Sequence, residues 1–259
     1  MPDNFDALRS AFSLPNEIAL VTGGGSGLGY AMSAALLAAG ARVVITGRRQ
    51  EVLDAAVATL GPGASSFRQD LTNHAEIEPL MERIHREIGH PTILINNAGT
   101  HLKKPLVDTT PEEFRSVLAT HVEGAFAMSR AVVPGMRRVG HGSLIFIASM
   151  TSLIGMPNVV AYSAAKAAFL GMVHSLATEL GPESIRVNAI APGWIETPML
   201  HKALDGDPPR KAKILSRTPQ GRFGEPSDIG WAAVYLSSPA ASFVNGVVLP
   251  VDGGAKVGF

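Results

Sequence analysis

The chain has 259 residues, of which 46% are hydrophobic and 17% charged, enough apolar content to fill a globular core and too much for disorder. Lys+Arg and Asp+Glu are both 22, so there is no basic footprint for nucleic acid or anionic lipid, and the lack of cysteine excludes disulfides and thiolate metal sites. No uncharged apolar stretch reaches a membrane span and the first residues lack a signal-peptide pattern, so a cytoplasmic protein is expected.

The first predicted strand, Glu17–Thr22, runs into Thr22-Gly23-Gly24-Gly25-Ser26-Gly27-Leu28-Gly29 and a helix over Gly27–Ala39. Glycines there permit a tight turn and close approach to a pyrophosphate, which the unpaired N–H groups and positive end of the helix attract. Gly23, Ser26, Gly27, Leu28 and Gly29 are therefore candidate cofactor-binding residues. The second strand, Arg42–Thr46, ends in Gly47-Arg48-Arg49, and the first acid is Glu51. Sites for an unphosphorylated ribose place a carboxylate about twenty residues after the glycines, whereas a guanidinium grips a 2′-phosphate. Arg48 and Arg49 thus favour NADP over NAD, although solvated arginines also begin many surface helices, here one over Gln50–Leu60. A third strand, Ser65–Arg68, leads to Asp70 and Leu71, candidates for the adenine end. Asp70 is equally suited to a turn.

A helix near His74–Ile88 precedes the strand Thr92–Ile95 and the run Asn96-Asn97-Ala98-Gly99, whose small residues let a sugar pack on the backbone. A long helix is predicted over Pro111–Arg138, a strand over Ser143–Ala148 ending at Ser149, and a helix over Val160–Leu180. That last helix carries Tyr162 and Lys166 four apart on one face. An ammonium beside a phenol pulls its pKa down from about 10, which suits proton transfer near neutral pH. The strand Ile185–Ile190 follows, then an irregular stretch Pro198–Pro226 read as a functional lid, a helix Pro226–Leu236 and a strand Gly246–Pro250. Alternating strands and helices argue for one α/β domain spanning 1–259, a parallel sheet covered on both faces. The eight histidines form no metal-binding pair, and no metal is expected.

Thr22-Gly23…Gly27…Gly29, Asn96-Asn97-Ala98-Gly99, Ser149…Tyr162…Lys166, Pro192-Gly193…Thr197 and Val251-Asp252-Gly253-Gly254 stand in an order and spacing that resembles the short-chain dehydrogenase/reductase family, from about Ile18 to Gly254. The resemblance implies a doubly wound Rossmann sheet of seven strands and a homotetramer or dimer. It also implies reversible hydride transfer between a nicotinamide cofactor and a carbonyl or secondary alcohol. Ser149, Tyr162 and Lys166 would be catalytic: Tyr162 passes the proton, Lys166 lowers its pKa and binds the ribose, and Ser149 holds the substrate oxygen. Asn97, Ala98 and Gly99, with Pro192, Gly193, Ile195 and Thr197 at the nicotinamide end, would complete the cofactor site. One departure stands out: His121 occupies the place where many members carry an Asn, either as a titrating relay or as a satisfied interior histidine.

For the substrate, the cations of Thr100-His101-Leu102-Lys103-Lys104-Pro105 suit an anion such as a sugar acid. Lys104-Pro105, Arg217-Thr218-Pro219 and Gly221-Arg222 are similar to members that oxidise gluconate. A 3-oxoacyl thioester reductase shares every motif, and Trp194 and Met199 suit either pocket. A non-catalytic dinucleotide-binding regulator is the reading from another class, against which stands the complete Ser149, Tyr162 and Lys166 set.

Overall fold

The computed structural model describes residues 4–204 and 206–258. Its centre is a seven-stranded parallel sheet in the order β3-β2-β1-β4-β5-β6-β7. The strands are β1 (Ile18–Thr22), β2 (Arg42–Gly47), β3 (Ala64–Arg68), β4 (Ile93–Asn96), β5 (Gly142–Ile147), β6 (Ile185–Pro192) and β7 (Val248–Val251). Parallel strands need crossover helices, and those helices cover both faces. That is why β1 and β5 are buried at every position. Alternate side chains feed opposite layers. Leu20, Leu94 and Phe146 pack with α4 (Ile77–Glu87), α6 (Gly124–Val139) and α7 (Val160–Leu180). Ala19, Val21 and Ile95 pack with α2 (Gly27–Ala38), α3 (Gln50–Leu60) and α10 (Pro226–Ser237).

Helices α2 and α10 cross closely because a Cβ at Gly230 would lie 2.9 Å from the Ala35 Cβ and 3.0 Å from the Ala31 carbonyl oxygen. The strand order reverses between β1 and β4, the point where ligands enter such sheets. There the two strand ends are locked together. Thr22 Oγ1 donates to the Ile95 carbonyl at 3.2 Å and accepts from the Asn97 and Ala98 amides at 3.0 and 3.1 Å.

Three segments depart from the sequence expectation. A helix α1 (Asn4–Phe12), which the sequence reading left out, packs Phe12 against Tyr235 at 6.2 Å between ring centroids. The helix expected over Pro111–Arg138 is α5 (Pro111–Leu118) and α6 joined by a π-helical turn, Ala119–Glu123, which carries His121 into the interior. Such single turns concentrate at functional sites.

The stretch expected to be irregular, 198–226, contains helices α8 (Pro198–Leu204) and α9 (Pro208–Ser216). Pro198 and Pro208 sit at first helical positions, where a missing N–H costs nothing. Asp207 caps α9 by accepting from the Arg210 amide at 3.0 Å. The ends of this excursion are pinned, Gly224 N donating to the Trp194 carbonyl at 2.9 Å and Glu196 N to the Gly224 carbonyl at 2.8 Å.

Candidate active site

The carboxyl ends of the strands open into a cleft of about 720 Å³. Every residue named above as catalytic or cofactor-binding lines it, from Gly23 through Thr197.

At one end the backbone shapes the cleft. Gly29 packs so tightly that a Cβ would lie 2.2 Å from the Gly23 carbonyl oxygen and 2.6 Å from Asn97 Nδ2. Gly27 has φ +54° and meets nothing within 4 Å, so the space before the turn is open. Ser26 makes no side-chain cap, which leaves the first N–H groups of α2 available to an anion. Arg48 and Arg49 are exposed at the rim of β2, and among the described residues neither is held in an ion pair. An open glycine cradle, an uncapped helix start and two unpaired guanidiniums together fit a phosphorylated dinucleotide. Asp70 also lines the cleft, but its Oδ1 accepts from the Thr72 amide at 3.0 Å and the Thr72 hydroxyl at 2.8 Å. Those bonds, more than the nearby Arg48 and Arg68, hold its carboxyl below the usual value.

At the other end side chains do the work. Tyr162 and Lys166 rise from α7 beneath the end of β5. Ser149 hydrogen-bonds Tyr162, and its Oγ accepts from the Thr151 amide at 3.1 Å. The expected lowering of the Tyr162 pKa is not what this structure has: burial pushes the phenol up, opposed only by the Ser149 bond. Lys166 is itself buried, and burial depresses its ammonium to about 7. Its Nζ donates to the Ile147 carbonyl at 2.6 Å and lies 5.6 Å from the Tyr162 ring centroid. The lysine is thus aimed at the end of β5. Tyr162 here is a protonated donor.

His121 is 2% exposed and stands edge-on to Tyr162, ring centroids 5.6 Å apart. Its Nε2 meets the Thr100 carbonyl oxygen at 2.8 Å and the Thr100 nitrogen at 3.0 Å, while Nδ1 is buried without a partner. Burial, then the charge of Lys166, lowers its pKa to about 3, so the ring is neutral across the physiological range. Neutrality contradicts a titrating relay and favours the interior-histidine reading. The ring also dictates Gly99, since a Cβ there would come within 2.0 Å of His121 Cε1.

Gly193 plays the same part for the last motif. A Cβ on it would lie 2.6 Å from the Asp252 Cα, and Asp252 closes its own turn by accepting from Gly254 N at 2.9 Å and Lys256 N at 2.8 Å.

The basic candidates separate. Lys103 lines the cleft; Lys104 pairs with Glu113 at 2.9 Å and does not, and Arg222 pairs with Asp228 at 3.3 Å. Trp194 lines the cleft, while the side chain of Met199 lies outside the described residues. Arg210, on α9, faces the cleft although no sequence signal marked it. Among the described residues no cluster of metal-ligating side chains occurs, and no helix is long and apolar enough to cross a membrane.

A dinucleotide cradle at the switch point, meeting a half-buried phenol and a buried hydroxyl and ammonium, defines the class: a nicotinamide-dependent oxidoreductase on a doubly wound sheet. The family model described as Enoyl-(Acyl carrier protein) reductase matches residues 23–256. The chain is 37% identical to the 3-oxoacyl-[acyl-carrier-protein] reductase of Escherichia coli over 92% of this chain and 96% of that protein. It is 36% identical to the gluconate 5-dehydrogenase of Gluconobacter oxydans over 95% and 97%. Among solved structures, a gluconate 5-dehydrogenase from Burkholderia cenocepacia in complex with NADP and tartrate superimposes with a TM-score of 0.93 at 31% identity, covering 97% of this chain and all of that one. The chain belongs to the short-chain dehydrogenase/reductase family and is an NAD(P)-dependent enzyme.

Proposed function

We propose that the protein interconverts a carbonyl and a secondary alcohol with NADP, on a sugar acid of the gluconate type. The observation that carries the proposal is the hydrogen-bonded Tyr162–Ser149 pair at the head of the cleft with Lys166 beneath it. When bound, the nicotinamide supplies or takes up the hydride and, oxidised, adds a positive charge. In reduction Tyr162 gives its phenolic proton to the substrate oxygen, and in oxidation it takes that proton back. Ser149 steadies the developing charge on the same oxygen. Lys166 holds the ribose and adds the positive charge that the phenolate needs. Gly23, Ser26, Gly27, Leu28 and Gly29 receive the pyrophosphate, and Arg48 and Arg49 the 2′-phosphate. Asp70 and Leu71 border the adenine, Asn97, Ala98 and Gly99 the adjoining sugar, and Pro192, Gly193, Ile195 and Thr197 the nicotinamide. NADP is supported by the two rim arginines and by the NADP bound to the Burkholderia relative.

The 198–226 excursion acts as the substrate lid of a single 1–259 domain. A cytoplasmic homotetramer, or dimer, belongs to the same reading. Exposed Phe126, beside Val122 and Met172 in a groove of about 450 Å³ next to α7, supports self-association. A 3-oxoacyl thioester reductase is the second reading, favoured by the Escherichia coli relative. Following nicotinamide absorbance with NADPH and NADH across keto-sugar acids and acetoacetyl thioesters separates the two. Turnover confined to thioesters would reject the sugar-acid assignment.

A further inference from the structure

The cleft carries one sign of charge at its catalytic end. Lys103, Lys166 and Arg210 line it there beside His101, and among the described residues the only carboxylate lining any part of it is Asp70, across at the end of β3 and taken up by Thr72. Two of these cations come from segments more than a hundred residues apart. Lys103 extends from the loop after β4. That loop is fixed by the Lys104 amide, which donates to the Asn158 carbonyl at 2.7 Å, and by the Lys104–Glu113 ion pair. Glu113 thereby holds Lys104 away from the cleft, while its exposed neighbour Lys103 borders it. Arg210 lies in the first turn of α9, which Asp207 caps by accepting from the Arg210 amide at 3.0 Å.

Lys103 and Arg210 line the same cleft as His101, whose pKa burial lowers first and the two charges lower further. The His101 ring lies 5.0 Å from the Tyr162 ring between centroids. An anion lodged beside His101 is therefore only a short carbon chain from the phenol oxygen. Arg210 has interactions within its own chain as well, and five N–H donors leave some for a ligand.

We propose that Lys103 and Arg210 form a two-sided clamp for a substrate carboxylate, so that the enzyme selects hydroxy and keto acids over neutral alcohols and thioesters. The clamp rests on the sugar-acid reading and sharpens it: one jaw is a fixed loop, and the other rides on the 198–226 excursion. An acidic substrate thereby draws α9 over the cleft, which a neutral one does not.

The test compares gluconate with sorbitol, which carries CH2OH in place of the carboxylate, as substrates with NADP in wild type, K103Q, R210Q and the double variant. Each single change lowers the gluconate-to-sorbitol ratio of kcat/KM about tenfold, mostly through KM, and the pair about a hundredfold. Arg210→Lys recovers part of the ratio, and added salt erodes it. A ratio unchanged in the double variant, with wild type active, overturns the clamp alone. Calorimetric binding of gluconate to the NADP-loaded protein tests the clamp without turnover. Binding that weakens in the variants, in a wild type that binds gluconate without oxidising it, upholds the clamp and rejects gluconate as the substrate. A wild type that neither binds nor oxidises gluconate overturns the clamp.

Discussion

The two ends of the cleft are built from different materials. Between β1 and α2 the site is backbone: glycines, an uncapped helix start and close contacts that no side chain would survive, with charge only at the exposed rim. Between β5 and α7 it is side chain: Ser149, Lys166 and His121 are nearly sealed from water, with Tyr162 beside them, and their pKa values move accordingly. A backbone cradle recognises a phosphate by shape and N–H direction. Proton transfer needs groups whose charge is tuned by burial.

The largest effect expected of any single change lies at the buried end. Tyr162→Phe removes the proton donor and should lower turnover by about 10²–10⁴-fold, with NADPH affinity, read by fluorescence, far less affected. Turnover near the wild-type rate would place the donor elsewhere.

At the backbone end, Gly29→Ala drives a Cβ onto the Gly23 carbonyl and should cost about 2–3 kcal/mol in urea unfolding, together with cofactor binding. Gly27→Ala meets open space and should cost about 1–2 kcal/mol, for its positive φ alone. Equal costs would mean that the crowding is not what the glycines relieve.

At the rim, replacing Arg48 and Arg49 by Ala should cut kcat/KM with NADPH by about 10–100-fold and with NADH little. A parallel loss with both cofactors would show that the arginines do not read the 2′-phosphate.

At neutral pH no effect at all is expected from His121, whose pKa in the fold, about 3, lies below its unfolded value of about 6.5. The unfolded chain takes up the proton first. Stability is therefore unaffected above about pH 7 and falls as pH drops below 6.5. Urea titrations at about pH 7 and about pH 5 should differ by about 2 kcal/mol for this group, and His121→Asn should abolish that difference. The pH–rate profiles of the two proteins should keep the same shape between about pH 6 and 9, because the ring stays neutral. A shifted profile would return His121 to proton transfer.

Much of this was legible in the residues. Each proposed strand exists within two residues; the central ones, such as β1 and β5, read most plainly because strands buried on both faces must be apolar throughout. The cofactor motifs read well for a related reason: a position that only glycine can fill has one spelling. Other segments were hidden by their local chemistry. In 198–226, Pro198 and Pro208 resemble breakers until they are seen at helix starts. Helix α1 is held by Phe12 meeting Tyr235, more than two hundred residues away.

Sequence by itself determined the layered α/β order, the glycine cradle and the Tyr162–Lys166 pairing on one helix face, since these depend on period, propensity and local spacing. Tertiary structure decided what no local pattern encodes. It set the raised Tyr162 and lowered Lys166 pKa values, the neutrality of His121, the division of Lys103 from Lys104 and the arrival of Arg210 in the cleft. These follow from burial and from charges brought together across the chain, and both exist only once the sheet and its helices have closed around them.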